Sequence, residues 1–407
     1  MNYIKMNRLV LIGNGFDLAH GLKTSYADFI YWYCRSVISY LLLQSKDVYE
    51  DILCKTINNK LDYYNLRDLY HSENEELYNF INNNEDAFVI DYSPFFERIH
   101  KCIETKGWVD IESDYYELLK KYVLENTSEA QIETLNTQLH YLQEKLVEYL
   151  NSIEISDKLL RTDIRPKIYA PFEIHDISLE SRQALVNHIL SGINADKGSS
   201  DTKLSLYGNC YSSGRITSYK EKFFGNVVFN DELPIELLLP NHIMLLNFNY
   251  THTADLYCKK GYIFTVNQIH GDLNNPKSVI FGYGDELDND YRTIVNKNEN
   301  KFLENIKSIK YLEADNYRRL LSFIEAEPYQ IVIMGHSCGN SDRTLLNTLF
   351  EHKNCVSIKP YYYKWGKGEK DDNYIDLVQN ISRNFKDMKL MRDRVVNKTY
   401  CKPLVSN

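Results

Sequence analysis

Near its start the chain carries a short, unbroken apolar run, Leu9-Val10-Leu11-Ile12. Such a run fits a strand buried on both faces rather than on one. It stops at Gly13-Asn14-Gly15, where two glycines permit a sharp turn and close approach of the backbone to a ligand. A helical pattern takes over near Ser25 and persists to about Leu160, with no strand predicted in that interval. Within it Ile132, Leu135, Leu139, Leu142, Leu146 and Tyr149 recur at alternating steps of three and four. That seam suits another helix of this chain or of a second copy. Trp108–Glu112 leads into an amphipathic segment over Tyr115–Tyr122. Its acids read as a solvated helix start that complements the helix dipole, with a place in a site as the alternative. Residues 161–230 are irregular, with one helix predicted over Arg182–Ile193 and a polar loop over Asp196–Ser213.

Beyond Leu237 strands alternate with short helices, the pattern of a parallel sheet with crossovers. Strands are predicted over Ile243–Leu246, Tyr262–Ile269, Val279–Phe281, Gln330–Met334 and Cys355–Lys359. Helices are predicted over Thr253–Lys260, in a pair within 298–326, over Ser341–Phe350 and near Tyr374–Asn384, with loose final residues. The first strand and the later ones then form one sheet. The predicted fold is α/β, a parallel sheet with a large helical insertion after the first strand and helix. Residues 1–29 and 236–390 make a discontinuous α/β nucleotide-binding domain, 30–235 a mostly helical insertion domain, and 391–407 a C-terminal tail.

The 407 residues carry a net charge of −9, so no sequence-wide basic field draws in nucleic acid. No apolar run approaches the ~20 residues needed to span a bilayer, and the N-terminus lacks a secretory h-region, so a cytoplasmic protein without membrane partners is expected. Eight cysteines are scattered without zinc-ligand spacing or the density of a disulfide framework, and the histidines show no metal-site spacing. No metal is expected.

Ligands of open α/β sheets bind outside the carboxyl ends of the strands. A strand–glycine turn–helix unit there aims backbone N–H groups and a helix dipole at one point, which suits a phosphate. Gly13–Asp17 is therefore the first candidate nucleotide-binding loop. The third glycine of the dinucleotide fingerprint is missing, since Leu18 stands there, and no second strand with a terminal acid follows, which disfavours a dehydrogenase-type domain. Asp17 either reaches a ribose hydroxyl or caps the next helix. At later strand ends Asn249 can orient a water or a sugar hydroxyl, and His270 can move a proton near neutral pH. Gly335-His336-Ser337-Cys338-Gly339 matches a nucleophile elbow. The only later histidine, His352, ends the very next helix, so a serine-hydrolase triad fails on topology. Ser337 is better read as a hydroxyl and N–H offered to an anion.

These motifs, namely Leu11–Leu18 with Gly21–Tyr26, then Phe248-Asn249-Tyr250-Thr251, Ile269-His270-Gly271 and Gly335-His336-Ser337, resemble the AbiH family of bacteriophage abortive-infection proteins nearly end to end. That family is in turn similar to sirtuin-like domains. The resemblance implies an NAD site: Gly13, Gly15 and Phe16 along the pyrophosphate and nicotinamide side, Asn249 holding the ribose and its attacking water, His270 as general base and Ser337 on a phosphate. Asn14 and Asp17, in the same loop, complete the expected cofactor-binding set. Three departures stand out: Asn14 replaces the alanine between the sirtuin glycines, Thr251 replaces the acid that recognises nicotinamide, and the four zinc cysteines are absent. Protein deacetylation is thereby disfavoured. The expectation is an anti-phage effector that binds NAD and hydrolyses the nicotinamide–ribose bond; the alternative is a nucleotide-sensing module without turnover, its helical insertion the effector surface. The expected partners are a small-molecule nucleotide, a phage trigger the sequence does not identify, and a second copy of the chain through the helical insertion. Nucleic acid is disfavoured.

Overall fold

The computed structural model describes residues 6–182, 238–258, 263–368 and 371–405. Strand β1 (Asn7–Ile12) is followed by three short strands, β2 (Val48–Glu50), β3 (Cys54–Asn58) and β4 (Phe88–Tyr92). Much later come β5 (His242–Asn247), β6 (Ile263–Gln268), β7 (Tyr329–Met334) and β8 (Cys355–Tyr361). β1 and β5–β8 form one all-parallel sheet in the order β6-β5-β1-β7-β8. Counted within this sheet the order is 3-2-1-4-5, that of doubly wound sheets, and the order reverses between β1 and β7.

The helices are α1 (Asn14–Ala19), α2 (Tyr26–Leu43), α3 (Tyr63–His71), α4 (Asn74–Asn83), α5 (Pro94–Lys106), α6 (Ile111–Leu124), α7 (Glu129–Asn151) and α8 (Arg165–Tyr169). After β5 come α9 (Asn289–Asn296), α10 (Lys307–Lys310), α11 (Asn316–Ala326), α12 (Arg343–Phe350), α13 (Tyr374–Arg383) and α14 (Met388–Arg394). α2 starts at a capping box in which the Ser25 and Asp28 side chains each accept the other's backbone N–H. No helix among the described residues is long and apolar enough to cross a membrane.

Alternate residues of the central strands feed two cores, as the period-2 geometry of a strand requires. Leu9, Leu11, Leu246, Ile331 and Ile333 pack with residues of α11, α12 and α13 on one face. Val10, Ile12, Leu245 and Val332 pack with Phe16, Ile168 and Tyr257 on the other. The apolar run is therefore buried on both sides. Arg8 is buried with it, its guanidinium bonded to the carbonyls of Ile168 and Ala170 and to Gln330 Oε1.

A third core belongs to the helices. The α7 seam predicted from Ile132 to Tyr149 is buried, and α7 packs against α2 and α6 of the same chain. This core also takes Leu273, Val279, Phe281, Tyr283, Ile294 and Phe302 from the β6–β7 connection. The segment Val279–Phe281 is thus not a strand: Ile280 N–H donates to the His270 carbonyl and Gln143 Nε2 donates to the Val279 carbonyl.

Two further expectations are corrected. The region read as wholly helical contains an antiparallel sheet, β2-β3-β4. Its central strand buries Cys54, Thr56 and Asn58, so the inward positions carry no apolar alternation to read. The C-terminal segment, as far as the described residues run, is tied down rather than loose. Val396 N–H donates to the Ile358 carbonyl and Leu404 N–H to that of Tyr362, with Met391, Cys401 and Leu404 buried. The helix predicted beyond Arg182 and the loop over Asp196–Ser213 lie outside the described residues.

Candidate functional site

A cavity of about 920 Å³ is built at the carboxyl ends of β1, β5, β6 and β7. Its size falls within the range of small-molecule sites. Gly13, Asn14, Gly15, Asp17, Asn249, His270 and Ser337 all line it, which brings segments far apart in sequence to one wall. Phe16 does not. The resemblance puts Phe16 along the cofactor, but its ring is buried in the core against His20 and Tyr257, because the first helix turns it inward.

The glycine turn serves a purpose that its pattern did not disclose. A Cβ on Gly13 would lie 2.5 Å from His336 Cα, and one on Gly15 would lie 2.9 Å from the Gly335 carbonyl oxygen. Gly335 has φ +78°, and a Cβ there would lie 2.0 Å from Phe16 N. The loops after β1 and β7 are therefore pressed backbone to backbone at the point where the strand order reverses. Their amides are spent on that contact: Gly13 N–H donates to the Met334 carbonyl, Gly15 N–H to that of Gly335 and Phe16 N–H to that of Gly13. The expected row of unpaired N–H groups for a phosphate is absent at these three positions. Gly271, with φ +87°, likewise admits another loop, since its Cβ would lie 2.0 Å from the Ser278 carbonyl oxygen.

Side chains then fix the loops to one another. Asn249 Nδ2 donates to the Gly13 carbonyl (3.1 Å), joining the end of β5 to the turn after β1. Thr24 Oγ1 donates to Asn14 Oδ1 (2.6 Å), and Thr251 Oγ1 donates to Asp17 Oδ2 (2.5 Å). Asp17 is buried and its Oδ1 has no hydrogen-bond partner. Burial pushes its carboxyl up to about 6, against the hydrogen bond from Thr251. Ser337 is exposed on the cavity wall, and its carbonyl accepts from Asn380 Nδ2.

His270 is buried at the inner end, flanked edge to face by Phe248. Its Nε2 lies 3.2 Å from Asp342 Oδ1 and 3.2 Å from the Tyr311 hydroxyl. Asp342 immediately precedes α12. Its Oδ1 also accepts from Lys307 Nζ (2.9 Å), and its Oδ2 lies 3.6 Å from His336 Nε2. Lys307, in α10, donates as well to Glu112 Oε2 (2.9 Å), and Glu112 Oε1 accepts the Gly282 N–H (3.0 Å). Lys307 is fully buried. Burial alone would raise the Asp342 carboxyl, but Lys307 and then His270 hold it well below the usual carboxylate range. Burial would lower the Lys307 ammonium, and Asp342 with Glu112 more than reverses that. Burial lowers His270, Lys307 acts in the same direction, and Asp342 opposes both.

Glu112 corrects the reading of that segment as a solvated helix start. Asp110 does cap α6, accepting from the Ser113 N–H, but both acids line the cavity, and Glu112 is buried. Lys307, Tyr311 and Asp342 were not singled out from sequence: each is an isolated polar residue in a short helix or turn, with no motif around it.

The cavity has a marked electrostatic character. Asp17, Asp110, Glu112, Asp342 and Asp376 line it, and the described lining residues include no lysine or arginine. Among the described residues no group of three or more His, Cys, Asp or Glu side chains is placed to hold a metal ion.

No match was found among curated proteins or among solved structures. The family model described as Bacteriophage abortive infection AbiH matches residues 9–189 and 207–363, most of the chain, and the protein therefore belongs to the AbiH family of bacteriophage abortive-infection proteins.

Proposed function

We propose that this abortive-infection protein acts by cleaving the nicotinamide–ribose bond of NAD in the cavity at the carboxyl end of its parallel sheet. The observation that carries the reading is the composition of that cavity: buried carboxyls and a buried histidine face it, without lysine or arginine among the described lining residues. Cleavage of an N-glycosidic bond to a pyridinium begins with a cationic base and passes through an oxocarbenium-like state. Lys307 behind the wall offsets one of the two carboxyls it bonds, so it is the negative charge left on the lining acids that favours both, and fixed charge placed where charge develops is a large catalytic term. In the sirtuin-like motif that the sequence resembles, Thr251 stands where an acid would be. The Thr251 hydroxyl is bonded to Asp17, so a carboxyl is present at that strand end after all.

The step balances as a hydrolysis. A water oriented by Asn249 attacks ribose C1′. The C1′–N bond breaks with its electron pair passing to the pyridinium nitrogen, and His270 takes the water's proton before returning it to solvent. The products are nicotinamide, ADP-ribose and a proton. Removing a positioned base costs ~10²–10⁴-fold in rate.

Purified protein incubated with NAD is expected to release nicotinamide, and His270→Ala and Asn249→Ala are expected to lose that release while remaining folded by circular dichroism. NAD binding in calorimetry without release would replace the enzyme by a nucleotide sensor. Neither binding nor release would overturn both.

A further inference from the structure

We infer that Asp342 is the positioning residue for His270, held in place by Lys307 and by Glu112 from the helical part of the chain. The inference rests on the reading of His270 as the base. A carboxylate oxygen 3.2 Å from Nε2 requires that nitrogen to carry the ring proton, because two lone pairs at that distance repel. The proton on Nε2 leaves the basic lone pair on Nδ1, the ring nitrogen with no hydrogen-bond partner among the described residues. Tyr311 O, also 3.2 Å from Nε2, accepts a share of the same proton. His336 is fixed in parallel. Its Nδ1 accepts the Cys338 N–H (3.0 Å), so its Nε2 carries the proton and turns it toward Asp342 Oδ2.

Asp342 could not do this if it were free to swing or to take up a proton. Lys307 prevents both, since Asp342 Oδ1 is shared between its ammonium and His270, 2.9 and 3.2 Å away. Lys307 is anchored from the far side by Glu112 Oε2, and Glu112 by the Gly282 N–H. The chain of contacts therefore runs from α6, through α10, to the turn before α12 and on to the end of β6. The groups that face His270 are Asp342, Lys307, His336, Tyr311 and Tyr250, so the balance between one anion and one ammonium governs its basicity.

Two variants push that balance in opposite directions. Asp342→Asn removes the anion: His270 becomes less basic, and the acidic limb of the pH profile of kcat/KM moves to lower pH. The maximum kcat falls toward the ~10⁴-fold loss known for a misdirected histidine tautomer, with KM little changed. Lys307→Met combined with Glu112→Gln removes one charge of each sign, which keeps the buried charge balanced. There the acidic limb moves to higher pH. A merely structural network would lower activity in both variants without moving the limbs apart.

A second readout is independent of turnover. In full-length protein with ¹⁵N-labelled histidine, neutral His270 is expected as the Nε2–H tautomer, with a titration midpoint that falls in Asp342→Asn. An Nδ1–H tautomer, or a midpoint unmoved by Asp342→Asn, overturns the inference. Absent nicotinamide release by the unmodified protein overturns the parent reading alone, since the tautomer and its titration are still measured.

Discussion

Gly21 and Gly335 offer a matched pair for testing what the glycine turn is for. Both have φ +78°, so an alanine at either incurs the left-handed backbone penalty of about 1–2 kcal/mol. Their surroundings differ completely. A Cβ on Gly21 meets nothing within 4 Å, whereas one on Gly335 would lie 2.0 Å from Phe16 N and 2.5 Å from Gly15 C. Backbone cannot rotate away as a side chain can, so the loops after β1 and β7 must separate by more than 1 Å. Overpacking of that kind costs ~1–3 kcal/mol, occasionally more. Gly335→Ala is thus expected to lose about 2–5 kcal/mol and Gly21→Ala about 1–2 kcal/mol, against a total stability of ~5–15 kcal/mol. Urea unfolding followed by tryptophan fluorescence measures both through the shift in midpoint at unchanged slope. Equal losses in the two variants would refute the claim that these glycines exist to let one loop lie against another.

Asp17 gives a pH prediction. Its folded value, pushed up to about 6, lies above that of the unfolded chain, so its contribution to stability is full below about pH 4 and is lost as pH rises through 6. The loss is roughly 3 kcal/mol, and Asp17→Asn removes it; a stability difference between the two proteins that stays constant from pH 4 to 7.5 would refute this. In α7, Leu142→Ala opens a hole in the helical core and should cost ~2–5 kcal/mol, while exposed Glu144→Ala stays within ~0.5 kcal/mol. Similar midpoints for the two would show that the seam is not packed as described. Deleting residues 391–407 removes buried Met391, Val396, Cys401 and Leu404, and at ~1.5 kcal/mol or more per side chain should cost at least roughly 6 kcal/mol. A truncated chain as resistant to protease as the full one would contradict that.

The sheet was largely legible because β1, β5 and β7 are buried on both faces and so appear as unbroken apolar runs. β2-β3-β4 was hidden because Cys54, Thr56 and Asn58 occupy its inward positions, which reads as neither a strand nor a core. In the cavity, motifs exposed Asn249 and His270 because each follows a strand directly. Asp342 and Lys307 were invisible for the opposite reason: what matters in them is a partner far away in the chain, and a lone aspartate before a helix looks like any other cap. Glu112 was misread for the same cause, since an acid in a first helical turn has a sufficient local explanation. The glycines were seen, and they line the cavity, but spacing could not show that they also let one loop lie against another.

The position of β1 has a consequence for biosynthesis. It is made before the other four strands of its sheet and lies at the sheet's centre, with Leu9 beside Met244 on one side and Ile331 on the other. At ~5–20 residues per second a ribosome needs roughly 15–60 s to travel from β1 to the end of β7. Until β5 is made the strand has neither neighbour, and until β7 is made it has one, so a nascent chain released before β7 lacks part of the cavity wall, however well its helices have folded. A cell making this protein thus holds no assembled cavity until each polypeptide has been made through β7.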